Sequence, residues 1–282
     1  MIQLKGTYDM VFDYLQSKRA LLFIAIFAVS GVTSQLAHAE QTCTGKGIGL
    51  AAEESAETKA AIAAQAAAEK LSLGDLFEKV AVGDSAAQVE LGRRYVTAKG
   101  IAIDADRAYS LFRAASVKNN PVALYYWGTA FANGVGVEKS DAQATLIWED
   151  AARAGYGPAQ YWLGFMIANG RGGILKNWCA AIPLFEIASE KGISDAAFMV
   201  GIAYNNGEIG TPDYAAAADW YRKANAIEFN QKAQYNLRLL IEKYLIEWQK
   251  GDPGKPAPPK PEVAPEPAAP DMKLDADTPA TN

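Results

Sequence analysis

The sequence predicts an all-α protein: a right-handed α-solenoid of stacked helix-turn-helix units, with disordered termini. Two observations carry this expectation. A glycine recurs at Gly92, Gly128, Gly164 and Gly201, at spacings of 36, 36 and 37 residues. Its neighbours keep step: Ala87, Ala123, Ala159 and Ala196 lie five residues before it, and Tyr95, Phe131, Ile167 and Tyr204 three residues after it. A fixed period of this length is the mark of a repeat architecture.

The second half of each period repeats as well. Ala108, Ala144, Ala181 and Ala217 each stand three residues before an apolar pair: Leu111-Phe112, Ile147-Trp148, Leu184-Phe185 and Trp220-Tyr221. Apolar positions at steps of three and four form one face of a helix, so each unit holds two helices. Between them lie Asn133-Gly134, Asn169-Gly170 and Asn206-Gly207, pairs suited to a left-handed helix C-cap. The small residues of the first helix let the second helix approach closely. One helix pair cannot cover its own apolar face, so stacking several builds a continuous core.

These residues resemble the Sel-like repeat, a relative of the tetratricopeptide repeat. The second unit fits best, with Ala123, Trp127-Gly128, Phe131, Gly134, Gly136-Val137, Ala144, Trp148 and Ala151-Ala152; the fourth adds Asp213, Ala217 and Trp220-Tyr221. The resemblance covers residues 86–237 and implies a scaffold for protein partners. Departures are visible. Ala98 replaces the first loop glycine of unit one, and Gly172-Gly173 lengthens unit three. Pro183 falls inside the second helix of unit three. Proline is tolerated in a helix's first turn, so that helix is expected to start late.

The expected organisation is a signal peptide (1–39), an N-terminal helical segment and cap (40–85), four repeats (86–119, 120–155, 156–192 and 193–230), a capping helix (231–250) and a tail (251–282). The leader combines Lys18-Arg19, an apolar run over residues 20–32 and Ala37-His38-Ala39 before Glu40, so cleavage is expected between Ala39 and Glu40. Such a chain is exported, to the bacterial periplasm; left uncut, the leader would anchor it in the inner membrane, facing the periplasm. The capping helix follows from Arg238, which occupies the glycine position one period on and blocks a further helix. At the other end, the Ala- and Glu-rich residues 50–70 show weak apolar periodicity and read as a loosely held helix. Leu76-Phe77 and Val80-Ala81 echo a second helix and read as the N-terminal cap. The tail holds nine of the thirteen prolines, a composition that cannot bury enough surface to fold. It serves as a spacer or as a proline-rich docking ligand.

Charge and residue inventory exclude several functions. The chain carries a net charge of −5, and −6 without the leader, so a phosphate backbone would be repelled and nucleic acid is not expected as a partner. The single histidine, His38, lies in the leader, which leaves no imidazole for a Ser-His-Asp or Cys-His site. Two separated cysteines, Cys43 and Cys179, make no zinc site, and their pairing stays open. Gly45-Lys46-Gly47-Ile48-Gly49 lacks the spacing of a phosphate loop. Asp104 and Asp213 precede second helices as caps. No cofactor and no catalytic role are expected. The alternatives are a hydrolase acting on cell-wall material or β-lactams, and a peptidoglycan-binding module.

First helices usually line the concave face of such solenoids, so the positions just before each glycine are the candidate partner contacts. Those three residues before it are Val89, Tyr125, Tyr161 and Phe198, expected to pack between repeats. Those two before it are Glu90, Tyr126, Trp162 and Met199. Tyr126, Trp162, Met199 and Glu90, with Arg93 and Arg94, form the expected partner-binding set, the residue mix that interface hot spots favour. The expected partner is a protein or peptide of the cell envelope, or cell-wall glycan; a membrane enters only if the leader stays uncut.

Overall fold

The computed structural model describes residues 53–240 and Glu242. Among them it shows eleven α-helices and no strand: α1 (Ala56–Ala68), α2 (Leu73–Ala81), α3 (Ser85–Thr97), α4 (Ala105–Ser116), α5 (Pro121–Asn133), α6 (Asp141–Arg153), α7 (Gly157–Asn169), α8 (Trp178–Glu190), α9 (Ser194–Asn206), α10 (Tyr214–Ile227) and α11 (Gln231–Leu240). None is long and apolar enough to cross a membrane. The leader, its Ala39-Glu40 boundary, Cys43, the glycine-rich 45–49 stretch and the proline-rich tail lie outside the described residues.

The closest helix pairings are α3 with α4, α5 with α6, α7 with α8 and α9 with α10, the two helices of each repeat. Successive repeats then meet through α4 and α5, α6 and α7, and α8 and α9, and α11 closes the stack against α10. This is a helical solenoid, and the repeating glycine explains its tightness. In each repeat a ring of the second helix lies over the glycine of the first. A Cβ added at Gly92 would sit 2.6 Å from Phe112, at Gly128 2.8 Å from Trp148, at Gly164 3.0 Å from Phe185 and at Gly201 2.5 Å from Tyr221. Those four rings are fully buried, and burying one of Phe size contributes about 1.5–3 kcal/mol.

Helix ends follow the expected signals. Asp104, Ser140, Asn177 and Asp213 each cap a second helix, accepting from the backbone N–H three residues on. Gly134, Gly170 and Gly207 end first helices in the left-handed region. Ala98 adopts the same conformation, φ 55°, without a glycine's freedom. Long-range side-chain bonds recur with the period: Asn120 donates to Ser85 Oγ, and Asn230 donates to Ser194 Oγ, 35 and 36 residues away.

Two expectations need correction. Helix α8 does not start late. It begins at Trp178 on its Asn177 cap, in register with α4, α6 and α10, and carries Pro183 inside. Burial of Trp178, Leu184 and Phe185 holds the helix in place despite the missing N–H. The N-terminal helix, in turn, is not loosely held: α1 packs against α3 and α5. Its weak periodicity reflects the means of attachment, which are small and polar residues rather than a large apolar face.

Candidate functional site

Helix α1 stays out of the stack and lies across the face formed by the first helices. It buries Thr58, Gln65 and Ala68, one side of the helix. Thr58 Oγ1 donates to the Ala154 carbonyl at 2.6 Å, joining residues 96 apart in sequence. Just before α1, the chain passes so near Gly155 that a Cβ there would lie 2.6 Å from the Glu53 carbonyl oxygen.

The far end of α1 is tied by charge. Arg93 donates to Glu69 Oε1 at 2.6 Å and to Glu90 Oε2 at 2.9 Å. Arg94 donates to Glu90 Oε1 at 2.8 Å and, through its other nitrogen, to the Leu71 carbonyl at 2.7 Å. Glu90, Arg93 and Arg94 are only 2, 6 and 8% exposed. Burial on its own would lower the Arg93 pKa; Tyr126, Glu90 and Glu69 outweigh it and raise the value. Each buried charge therefore has its counter-charge, and removing one member of such a set costs about 3–5 kcal/mol.

The structure thus brings four of the six nominated residues together: Glu90, Arg93 and Arg94 form the clamp on α1, and Tyr126 lies under the Arg93 guanidinium, 5.5 Å from its ring centroid. Tyr126 also stacks on Phe112 of the preceding repeat, and Trp162 stacks on Trp148 in the same way. Met199 is buried in the core further along. As free surface the set is smaller than expected: Trp162 is half-buried and the other five are buried. Inter-repeat stacking and α1 have taken up the rest.

Between α1 and the N-terminal ends of the first helices lies a cavity of about 510 Å³, inside the range of ordinary ligand sites. Tyr125, Tyr126, Tyr156, Tyr161 and Trp162 line one wall; α1 supplies Ile62 and Gln65; Phe229 and Lys232 stand at the edge. Gln65 is 6% exposed, and both polar atoms of its amide lack a partner among the described residues. Helices α7 and α9, whose first turns border the cavity, have no side-chain cap, unlike α3 and α5. Burial pushes the Tyr126, Tyr156 and Tyr161 hydroxyls well up, so they remain neutral donors at any physiological pH. The cavity thus presents ring faces and uncharged hydrogen-bonding groups. Among the described residues no cluster of His, Cys, Asp or Glu could hold a metal. Cys179 is disulfide-bonded.

Gln65, Tyr156 and Phe229 were not expected here. The signal for Phe229 was readable: the residue before each first-helix cap is Gly83, Asn119, Gly155 and Gly192, all with positive φ, and then Phe229. Helix α10 runs one residue longer than its counterpart α8 and delivers an exposed ring, 69% accessible, to the cavity's mouth. Gln65 had no such signal, because its place depends on where α1 docks.

The Sel1 repeat family matches residues 85–119, 121–156, 157–193 and 194–226, half of the chain. Among solved structures, a Sel1 repeat protein from Oxalobacter formigenes is 26% identical with a TM-score of 0.53, covering 56% of this chain and 64% of its own. A protective antigen present in uropathogenic Escherichia coli strains, displaying an SLR fold, is 32% identical with a TM-score of 0.56, covering 61% of this chain and 36% of its own. The chain therefore spans less than two thirds of either relative. No curated protein matches.

Proposed function

Because this chain belongs to the Sel1 repeat family, whose repeats generally mediate protein–protein interaction, we propose that it is a non-catalytic scaffold of the bacterial envelope. It is exported to the periplasm and holds a protein partner by a peptide segment seated in the cavity between α1 and the first helices. The observation that carries this reading is the cavity wall itself: five aromatic side chains beside an unpaired amide. Amphipathic rings with polar tips are what peptide interfaces use as anchors. Export is supported by the leader-like first 39 residues. A disulfide-bonded Cys179 also fits an oxidising compartment.

The test is affinity capture from an envelope extract with the full chain, comparing wild type with the Trp162→Ala, Phe229→Ala double variant. A specific envelope protein should be captured by the wild type and lost from the variant, with far-ultraviolet circular dichroism unchanged. Equal capture by both would refute the cavity as the contact. Recovery of the protein only from the cytosolic fraction would refute export, and turnover of muropeptides or of a chromogenic β-lactam would refute a non-catalytic role.

A further inference from the structure

The cavity offers more donors than its own surroundings use. Gln65 Nε2, the hydroxyls of Tyr126, Tyr156 and Tyr161, and the uncapped first turns of α7 and α9 all border one space. Its wall is a run of ring faces. A ligand matching this needs exposed carbonyls, few N–H groups of its own and flat apolar side chains. Polyproline II segments have those properties: they make no internal hydrogen bonds, proline has no N–H, and proline rings dock in aromatic-lined grooves.

The chain carries such a segment. Residues 253–270 read PGKPAPPKPEVAPEPAAP, with P-x-x-P spacings at Pro253/Pro256, Pro256/Pro259, Pro258/Pro261 and Pro267/Pro270. The non-proline residues between them supply the occasional N–H that Gln65 Oε1 can accept. The segment is also within reach. Helix α11 starts at the cavity's edge, where Gln231 and Lys232 line it. Leu240 is about 14 Å further along that helix, and the residues from there to Pro253 can span up to roughly 40 Å. Both signs of charge are matched: Glu54 and Lys232 border the cavity, and the segment holds Lys255, Lys260, Glu262 and Glu266.

We propose that the proline-rich residues 253–270 of this chain dock into its own α1-walled cavity as a polyproline II ligand, which a partner must displace or imitate. This rests on the reading of the cavity as a peptide site. Helix α1 is then part of the binding wall and not a plug in the groove.

The experiment uses the full chain with the photo-crosslinker p-benzoyl-phenylalanine introduced at Phe229, a position outside the core, and maps the adduct by mass spectrometry. The expected result is an adduct within a single chain that lands in residues 253–270. It should fade when a synthetic peptide of that sequence is added in excess. Gln65→Leu removes the amide while keeping an apolar fit for the helix, so it leaves folding intact and lowers the adduct yield roughly fivefold to tenfold, the loss of one hydrogen-bonded contact. Replacing Pro256, Pro258, Pro259 and Pro261 by Ser should do the same without touching the solenoid. An adduct confined to other parts of the chain, adducts only between two chains, or a yield indifferent to all three changes would overturn the proposal. If the tail adduct is missing while the envelope partner is still captured, tail docking alone fails. If the adduct forms and no partner is captured, the scaffold reading alone fails.

Discussion

The glycine beneath each ring gives a graded test of how this solenoid is held. Replacing glycine by alanine inside a helix gains about 1 kcal/mol of helix propensity. Against that stands the added methyl, and overpacking a close-fitted core costs about 1–3 kcal/mol. The structure sets the balance separately at each site. At Gly201 the new Cβ would meet two atoms of the Tyr221 ring at 2.5 and 2.6 Å, and that ring is fully buried. The overlap falls at the costly end, so Gly201→Ala should lose about 1–2 kcal/mol net. At Gly164 the nearest atoms are two of the Phe185 ring at 3.0 and 3.2 Å and Leu184 Cβ at 3.3 Å, an overlap that a shift of a few tenths of an ångström relieves. There the two terms nearly cancel, and Gly164→Ala should stay within about 0.5 kcal/mol of the parent. Gly92→Ala and Gly128→Ala, with contacts at 2.6 and 2.8 Å, fall between. Urea unfolding followed at 222 nm measures the series, and thermal midpoints should move by about 2–4 °C per kcal/mol for a domain of this size. Equal losses at all four sites, or a larger loss at Gly164 than at Gly201, would refute ring-over-glycine packing as the reason for the repeat.

Three further outcomes follow from particular residues. Ala98→Gly relieves a left-handed φ of 55° and should stabilise the fold by about 0.5–1 kcal/mol, read as a higher urea midpoint at unchanged slope. Pro183→Ala restores an N–H inside α8; the roughly 3 kcal/mol helix penalty of proline, less about 1 kcal/mol of lost chain stiffness, predicts a gain near 2 kcal/mol by the same assay. Tyr126, Tyr156, Tyr161 and Tyr221 all have pKa values raised chiefly by burial. The folded chain therefore holds these protons above pH 10 while the unfolded chain releases them, so stability is intact below about pH 10 and falls as pH rises beyond it. Tyrosinate absorbance should appear in two stages, exposed hydroxyls first and these four only with loss of helical signal. A single transition with no change in circular dichroism would contradict their burial.

The repeat was legible because its causes are local and periodic. Ala144 and Trp148, or Ala217 and Tyr221, mark a helix face by spacing alone, and Asn133-Gly134 marks its predecessor's end by backbone chemistry. Asp104 and Asp213 signalled caps by position for the same reason. The candidate site was only half legible. The stripe before each glycine named residues that lie where α1 docks, yet it could not show that Tyr126 and Trp162 spend their rings on Phe112 and Trp148 of the preceding repeat. Nor could Pro183 reveal that a capped, well-buried helix would absorb it.

What the sequence determined by itself was the unit: two helices, a glycine seam and four copies in register, because each of those depends on neighbours at most a few turns away. What only the tertiary structure decided was the use of the face those copies create. Helix α1 docks there through Thr58 and the Glu69–Arg93 pair, contacts between residues up to 96 positions apart. Such contacts leave no period in the chain, since a single helix laid across a stack needs only a matching set of small and polar groups, and those look like surface until the partner surface is built.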